Sequence, residues 1–474
     1  MPFLSRALSA NPKGLASEDG EKAWTHERLS SKAEEIARRL RALGVESGHV
    51  VALAGLLNRD VLAALHGIWK AGGTVAPLND RWTRTETTQA FEILAPRLLL
   101  VGESPEGGPE AVFHTSDPTV FRLASSGDPA LPSLSDVAPS TDPLFTLSPE
   151  AAAAHLLTSG TSGRPRVVRI TVQNLLASAQ GSRERLNLGP SDRWLGSLSL
   201  SHVGGLALVT RASVVGSGLV LRGGFSVTTF LALVESGSIT HASLVPTMLH
   251  QVMKAWGGGA VSDSLRCLLI GGAPAPENLV RAALEAGFPI ALTYGLTEAS
   301  SQVATAPPAL VKEKPGTVGA PLPGARVRLT DGGELLVQGP TVAPGQARSD
   351  GWLHTGDLAR EDDDGHLWIT GRQSDRIISG GVNVDPEEVA KALEAHPQVE
   401  EVMVLGVPDL EWGERVVAVV VSHSPGPLLT EELRALAWAA LSPAKRPRSI
   451  RFLDSLPRNP HGKVDRKKVR ALFQ

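Results

Sequence analysis

The 474-residue sequence is almost without cysteine: its single thiol, Cys267, stands inside an apolar run at 265–270. A lone cysteine excludes an intramolecular disulfide, and in that setting it reads as buried packing, not as a nucleophile, which suits a reducing compartment. Long apolar runs are missing too. Nowhere do about 18 consecutive apolar residues occur, so no membrane span is expected. The segment Met1 to Lys13 lacks an apolar signal core and an obvious cleavage site, which predicts a cytoplasmic protein. Net charge is small, with 46 Lys and Arg against 49 Asp and Glu for a formal −3. No broad electrostatic footprint therefore favours nucleic acid or an anionic membrane. Tyrosine occurs once, as Tyr294.

What is present is a globular balance, 42% hydrophobic and 20% charged. The chain is too long for one ordinary core, so two or more structural units are expected. Residues 25–46 carry Leu29, Ala33, Ile36, Ala37, Leu40 and Leu43 at helical spacing. Residues 50–54 and 98–101 read as short buried strands, with an apolar-faced helix over 60–71. The stretch 102–149, rich in Pro, Ser, Gly and Asp, reads as loops and short strands. Further on, 266–270 is a strand, 276–286 a helix and 290–293 the next strand. This alternation predicts an α/β layered fold with buried parallel strands. Residues 371–381 suit a hinge between two apolar runs. Beyond them, helices over 386–395 and 430–441 and strands over 402–407 and 416–421 make a compact α+β unit of ordinary domain size. The reading is a large multi-layered domain, 1–373, followed by a small mobile α+β domain, 374–474.

Four segments can carry chemistry. In His155-Leu-Leu-Thr-Ser-Gly-Thr-Ser-Gly-Arg-Pro-Arg166 an apolar strand runs into small hydroxyl and glycine residues and then two arginines. Such residues let backbone N–H groups approach an anion, and a nearby cation neutralises phosphate charge. The Gly-Lys-Ser/Thr ending of the kinase and GTPase phosphate loop is absent. A mobile surface loop is the alternative. In Thr293-Tyr-Gly-Leu-Thr-Glu-Ala299, at the end of a predicted buried strand, Tyr294, Thr297 and Glu298 stand where ligands of open α/β sheets sit. An aromatic ring can stack on a purine, and a carboxylate near phosphates can hold Mg²⁺. Taken alone, Tyr294 is equally a packed core aromatic, Glu298 a solvated helix start and Asp357, in His354-Thr-Gly-Asp357, a turn aspartate. Lys463, in Pro457-Arg-Asn-Pro-His-Gly-Lys-Val-Asp-Arg466, follows a glycine and can reach outward as a point charge. By itself it is as easily a solvated tail lysine.

The order of these segments resembles the adenylate-forming superfamily of acyl-CoA synthetases, peptide-synthetase adenylation domains and luciferases. Further segments extend the likeness through almost the whole chain. They are Val51-Ala-Leu53, Ala71-Gly-Gly-Thr-Val-Ala-Pro-Leu-Asn79, Ser199-Leu-Ser-His-Val-Gly-Gly205, Gly271-Gly-Ala-Pro274 and Gly371-Arg-Gln-Ser-Asp375. The resemblance implies an acid–thiol ligase that joins a carboxylate to AMP and then passes the acyl group to coenzyme A, using ATP and Mg²⁺. It implies that Thr158, Ser159, Gly160, Thr161, Ser162 and Gly163 wrap the ATP phosphates with Arg166 beside them. Gly272 and Ala273 would border adenine and Tyr294 would stack on it. Thr297 and Glu298 would serve the α-phosphate and the metal, and Asp357 and Arg372 the ribose. Lys463 would bridge the carboxylate and the α-phosphate. Ser374 would be the hinge whose rotation withdraws Lys463 and brings the loop at Gly380 and Gly381 over a pantetheine tunnel. One departure from the pattern is Pro165-Arg166-Val167, where the superfamily usually has Pro-Lys-Gly. Arginine keeps the charge but changes reach and geometry.

Ser191-Asp-Arg-Trp-Leu195, His241-Ala-Ser-Leu-Val-Pro-Thr-Met248 and Leu265-Arg-Cys-Leu-Leu-Ile-Gly-Gly-Ala-Pro-Ala-Pro276 are similar to the o-succinylbenzoate–CoA ligases of menaquinone biosynthesis. That likeness implies an acyl pocket lined by His202, Ser243 and Thr247. A ligase for another aryl or short- or medium-chain acid, an adenylation protein that loads a carrier protein, and a degenerate binding protein are the alternatives. Expected partners are the small-molecule acid, ATP and coenzyme A, with no nucleic acid. Oligomeric state, including a homodimer, is left open.

Overall fold

The computed structural model describes residues 3–20, 22–102, 119–123, 131–159, 165–379, 382–410, 412–459 and 464–473. Two mostly parallel sheets form the larger part. The first has six strands in the order Thr119–Arg122, Leu98–Val101, Val50–Ala54, Thr74–Pro77, Ala152–Ser159 and Pro165–Thr171, and only the last pair is antiparallel. The second has eight, in the order Ser301–Ala306, Ile290–Leu296, Cys267–Ile270, His241–Leu244, Arg193–Gly196, Gly218–Leu221, Leu15–Asp19 and Lys22–Thr25, with antiparallel strands only at its two edges. Continuous apolar runs such as Leu98–Val101 and Cys267–Ile270 are buried at every position, as strands covered on both faces must be.

Helices fill the space between the sheets. His26–Ala42 is started by Thr25, whose side chain accepts from the Arg28 N–H, and it buries Leu29, Ala33, Ala37 and Leu40. Its neighbour Arg59–Lys70 is buried from Val61 to Trp69, and Val203–Val215 is buried from Gly205 onward. A helix apolar on all sides belongs inside the protein. One core joins Val51, Leu53 and Leu98 of the first sheet to Trp194, Cys267 and Ala291 of the second through these helices.

The antiparallel sheet Arg326–Leu329, Glu334–Gln338, Leu353–Glu361, Leu367–Arg372 was not anticipated from the sequence. Its first strand alternates exposed and half-buried positions and carries two arginines, a much weaker signal than a continuous apolar run. After a short turn at Gln373–Asp375 comes the small domain. There Val382–Val384, Ile377–Ser379, Gly413–Ser422, Val399–Asp409 and Ser449–Leu453 form a five-stranded sheet packed by the helices Pro386–Glu394 and Pro427–Ala440. The architecture is the expected α/β one, a large domain built on parallel sheets followed by a smaller α+β domain.

Candidate active site

The loops beyond the carboxyl ends of the parallel strands of the eight-stranded sheet hold several of the residues singled out in the sequence. Ser197 follows Arg193–Gly196, Thr247 follows His241–Leu244, and Gly272 and Ala273 follow Cys267–Ile270. Gly272 has φ +83°, a left-handed turn that suits glycine, and both it and Ala273 are exposed. Ser243 is buried, and its carbonyl accepts a 2.7 Å bond from the Ser197 hydroxyl. Thr247 is half-buried at the start of the helix Pro246–Ala255. His202 is exposed at the N-cap of Val203–Val215. It is not a core histidine. The chain turns tightly there, since a side chain at Gly205 would lie 2.1 Å from the Ser199 carbonyl.

The strand expected to stop at Thr293 continues to Leu296, because Ser301–Ala306 folds back antiparallel against it and pairs Leu296 with Ser301. Tyr294 therefore lies within a strand. Thr297 and Glu298 occupy the single turn Thr297–Ala299 between the two strands, both half-buried. Ser300 and Ser301, with φ +55° and +101°, carry the chain back. Non-glycine residues in such conformations are strained and cluster at functional sites.

Asp357 is a strand residue, not a turn residue. It belongs to Leu353–Glu361 and pairs in register with Arg372 of the neighbouring strand. The preceding Gly356 has φ +70°, a turn-like conformation just before the paired residues. The Asp357 carboxylate is buried between two donors: Tyr294 donates its phenol to Oδ2 at 2.6 Å, and Arg372 donates Nε to Oδ1 at 2.5 Å. The Arg372 side chain is itself largely exposed. Burial first, and then the Asp357 charge, push the phenol pKa well above its ordinary value.

On the other sheet, Thr158 pairs with Arg166 across the base of the serine- and glycine-rich loop, and its hydroxyl contacts the Arg166 carbonyl at 3.5 Å. Arg166 is exposed. The backbone of Ser159 closes the strand, while Gly160, Thr161, Ser162 and Gly163 lie outside the described residues, as do Gly380, Gly381 and Lys463. Ser374 is exposed in the turn Gln373–Asp375.

Arg211 went unnoticed in the sequence. It stands in the middle of the buried helix, 3% exposed, with its guanidinium 4.8 Å from the centre of the Trp194 ring and 2.8 Å from the Gln302 carbonyl oxygen. Among the described residues no carboxylate pairs with it, and its Nε has no partner. Burial pushes its pKa down to about 10. The only signal was an arginine inside the apolar run 203–215.

The AMP-binding enzyme family matches residues 4–346, and the AMP-binding enzyme C-terminal domain matches 388–463. A 2-succinylbenzoate–CoA ligase of Bacillus cereus is 32% identical over all of this chain and 98% of its own length. One of Geobacillus kaustophilus is 34% identical over 99% of this chain and 97% of its own. Among solved structures, the o-succinylbenzoate CoA synthetase of Bacillus subtilis with its acyl-adenylate intermediate superposes with a TM-score of 0.87 at 30% identity, over 99% of this chain and 97% of that one. ATP-bound MatB of Rhodopseudomonas palustris gives 0.90 at 27% identity, over 100% and 98%. The chain belongs to the AMP-binding enzyme family.

Proposed function

We propose that the chain is an ATP-dependent acid–CoA ligase that converts 2-succinylbenzoate to 2-succinylbenzoyl-CoA, an AMP-forming step of menaquinone biosynthesis. Full-length likeness to ligases of that name supports the reaction, and one feature of the site supports the acid. Trp194, His241, Ser243, Cys267 and Ala291 share the sheet face beneath Val203–Val215, and Arg211 lies over it. Burying a charge without a counter-charge is costly. A second carboxylate, deep in an acyl pocket entered past Ser243, Thr247 and His202, would supply that counter-charge. A simple aryl or alkyl acid would not.

In the first half-reaction a carboxylate oxygen attacks the α-phosphorus and pyrophosphate leaves. Thr158, Ser159, Gly160, Thr161, Ser162 and Gly163, with Arg166, hold the phosphates. Gly272 and Ala273 border adenine, Tyr294 packs against it, and Asp357 and Arg372 bind the ribose. Thr297 serves the α-phosphate. Glu298 fits a metal: it is half-buried beside the strand ends, and among the described residues no side chain or N–H engages its carboxylate. Mg²⁺ bound there neutralises phosphate charge. Lys463 places its charge between carboxylate and α-phosphate as the bond forms. In the second half-reaction the coenzyme A sulfur attacks the acyl carbon and AMP departs. Adenylation has removed the carboxylate charge that repels nucleophiles. The two steps need different groups at one carbonyl, so a moving domain suits them. We place the division at 373/374, with Ser374 as hinge and the loop at Gly380 and Gly381 facing the thiol path.

Incubating the chain with ATP, coenzyme A and a panel of acids, with the thioester read by mass, tests this. 2-Succinylbenzoate is expected to exceed benzoate and octanoate by at least ~100-fold in kcat/KM. Equal use of either acid would leave the ligase reading standing and reject the substrate. Transfer to a carrier protein in preference to coenzyme A would reject the thiol acceptor.

A further inference from the structure

Gln302 is 3% exposed, and both ends of its amide are engaged. Its oxygen accepts from Arg211 at 2.8 Å, and its nitrogen donates to the hydroxyls of Thr305 at 2.8 Å and Thr293 at 3.2 Å. A guanidinium can only donate, so the amide oxygen must face Arg211. The backbone leaves the residue little freedom. Gln302 follows the left-handed Ser300 and Ser301, and it pairs with Gly295, where a Cβ would lie 1.9 Å from the Ser301 carbonyl.

A buried arginine is ordinarily satisfied by a carboxylate. Here glutamate, one atom different from glutamine, would fit the same space and cancel the charge. Instead the partner is a neutral amide, and the Trp194 ring face gives the cation further weak stabilisation. We propose that Gln302 is a specificity-determining positioning residue: it aims Arg211 without neutralising it, reserving the guanidinium for the distal carboxylate of the acid. This rests on the dicarboxylate reading above.

The test compares full-length Gln302→Glu and Gln302→Met with the unmodified chain on 2-succinylbenzoate and on benzoate. The Glu variant places an internal carboxylate on Arg211. Its preference for 2-succinylbenzoate should fall ~100-fold, the order expected when a buried charge pair is lost. The preference of the Met variant, which loses the aiming oxygen but adds no charge, should fall by about 10-fold; a Met variant with no loss would mean that the amide does not aim Arg211. The loss should appear in KM for the acid, with KM for ATP unmoved, and the Glu variant should melt no lower than the unmodified chain. A Glu variant that keeps the preference, or that melts lower, overturns the proposal. So does a Met variant that loses as much as Glu, since that marks a merely structural amide. An unmodified chain inactive on 2-succinylbenzoate overturns the substrate reading as well, so the two failures are distinguishable.

Discussion

Tyr294 donates its phenol to Asp357 at 2.6 Å, and the bond crosses from the eight-stranded sheet to the antiparallel sheet beside it. The ring packs with Val303, Leu335 and Val337, so residues from both sheets hold it. Because burial and the neighbouring carboxylate raise the phenol pKa, it remains a donor across the working pH range. One bond thus fixes both the proposed adenine platform and the proposed ribose acceptor.

Tyr294→Phe keeps the ring and removes the donor, leaving one oxygen of a buried carboxylate unsatisfied at a cost of roughly 1–3 kcal/mol. The expected result is a rise of about tenfold in KM for ATP with KM for the acid unchanged. Steady-state kinetics with each substrate varied in turn checks it. A lower melting temperature with unchanged KM for ATP would make the bond structural only.

Lys463→Ala should nearly abolish adenylation and spare thioester formation from pre-made acyl-AMP, because the proposed charge is needed in only one half-reaction. The segment around it is anchored on both sides: Arg458 bridges to Val464, Asp465 N–H donates to the Pro457 carbonyl at 2.7 Å, and Arg466 pairs with Asp375. Pyrophosphate exchange and single-turnover thioester assays separate the half-reactions. Equal loss in both would mean that the domain is damaged.

Ser374→Pro is expected to act in the opposite sense, leaving adenylation largely intact while slowing transfer to coenzyme A. Proline fixes φ near −65° and removes an N–H, so it should obstruct rotation about a hinge. The side chain is exposed, and among the described residues its hydroxyl reaches only its neighbour Asp375, at 3.3 Å, so little packing is lost with it. Unchanged single-turnover transfer would place the hinge elsewhere.

Legibility in the sequence followed the strength of the local pattern. Val50–Ala54 and Cys267–Ile270 are unbroken apolar runs, and His26–Ala42 repeats its buried residues at helical spacing, so each could be read directly. Asp357 could not, because the glycine before it mimics a turn while the pairing with Arg372 is decided by the neighbouring strand. The bond between Tyr294 and Asp357 joins residues 63 positions apart, and that between Arg211 and Gln302 residues 91 apart. No local spacing encodes such meetings.

His66 gives the last prediction. It lies wholly buried on the helix Arg59–Lys70, with Nε2 3.2 Å from the Ser213 hydroxyl, Nδ1 without a partner and its ring edge against Trp69. Burial, followed by the nearby Lys70 charge, lowers its pKa from 6.5 to about 3. The folded protein therefore keeps the ring neutral where the unfolded chain would protonate it. A lowered folded-state pKa means that its contribution is fully present above about pH 6.5 and is lost as pH falls towards 3. At pH 5 the loss is about 2 kcal/mol, since the unfolded chain has by then gained most of one proton. His26, buried on the adjacent helix and also lowered chiefly by burial, shifts stability in the same direction, so acid sensitivity is not abolished by one change. His66→Asn removes this titration and retains a group able to bond Ser213. Its stability at neutral pH should fall through lost packing, while the difference in urea stability between pH 7 and pH 5 shrinks by about 2 kcal/mol. A pH dependence identical to that of the unmodified chain would mean that His66 is not held neutral by its surroundings.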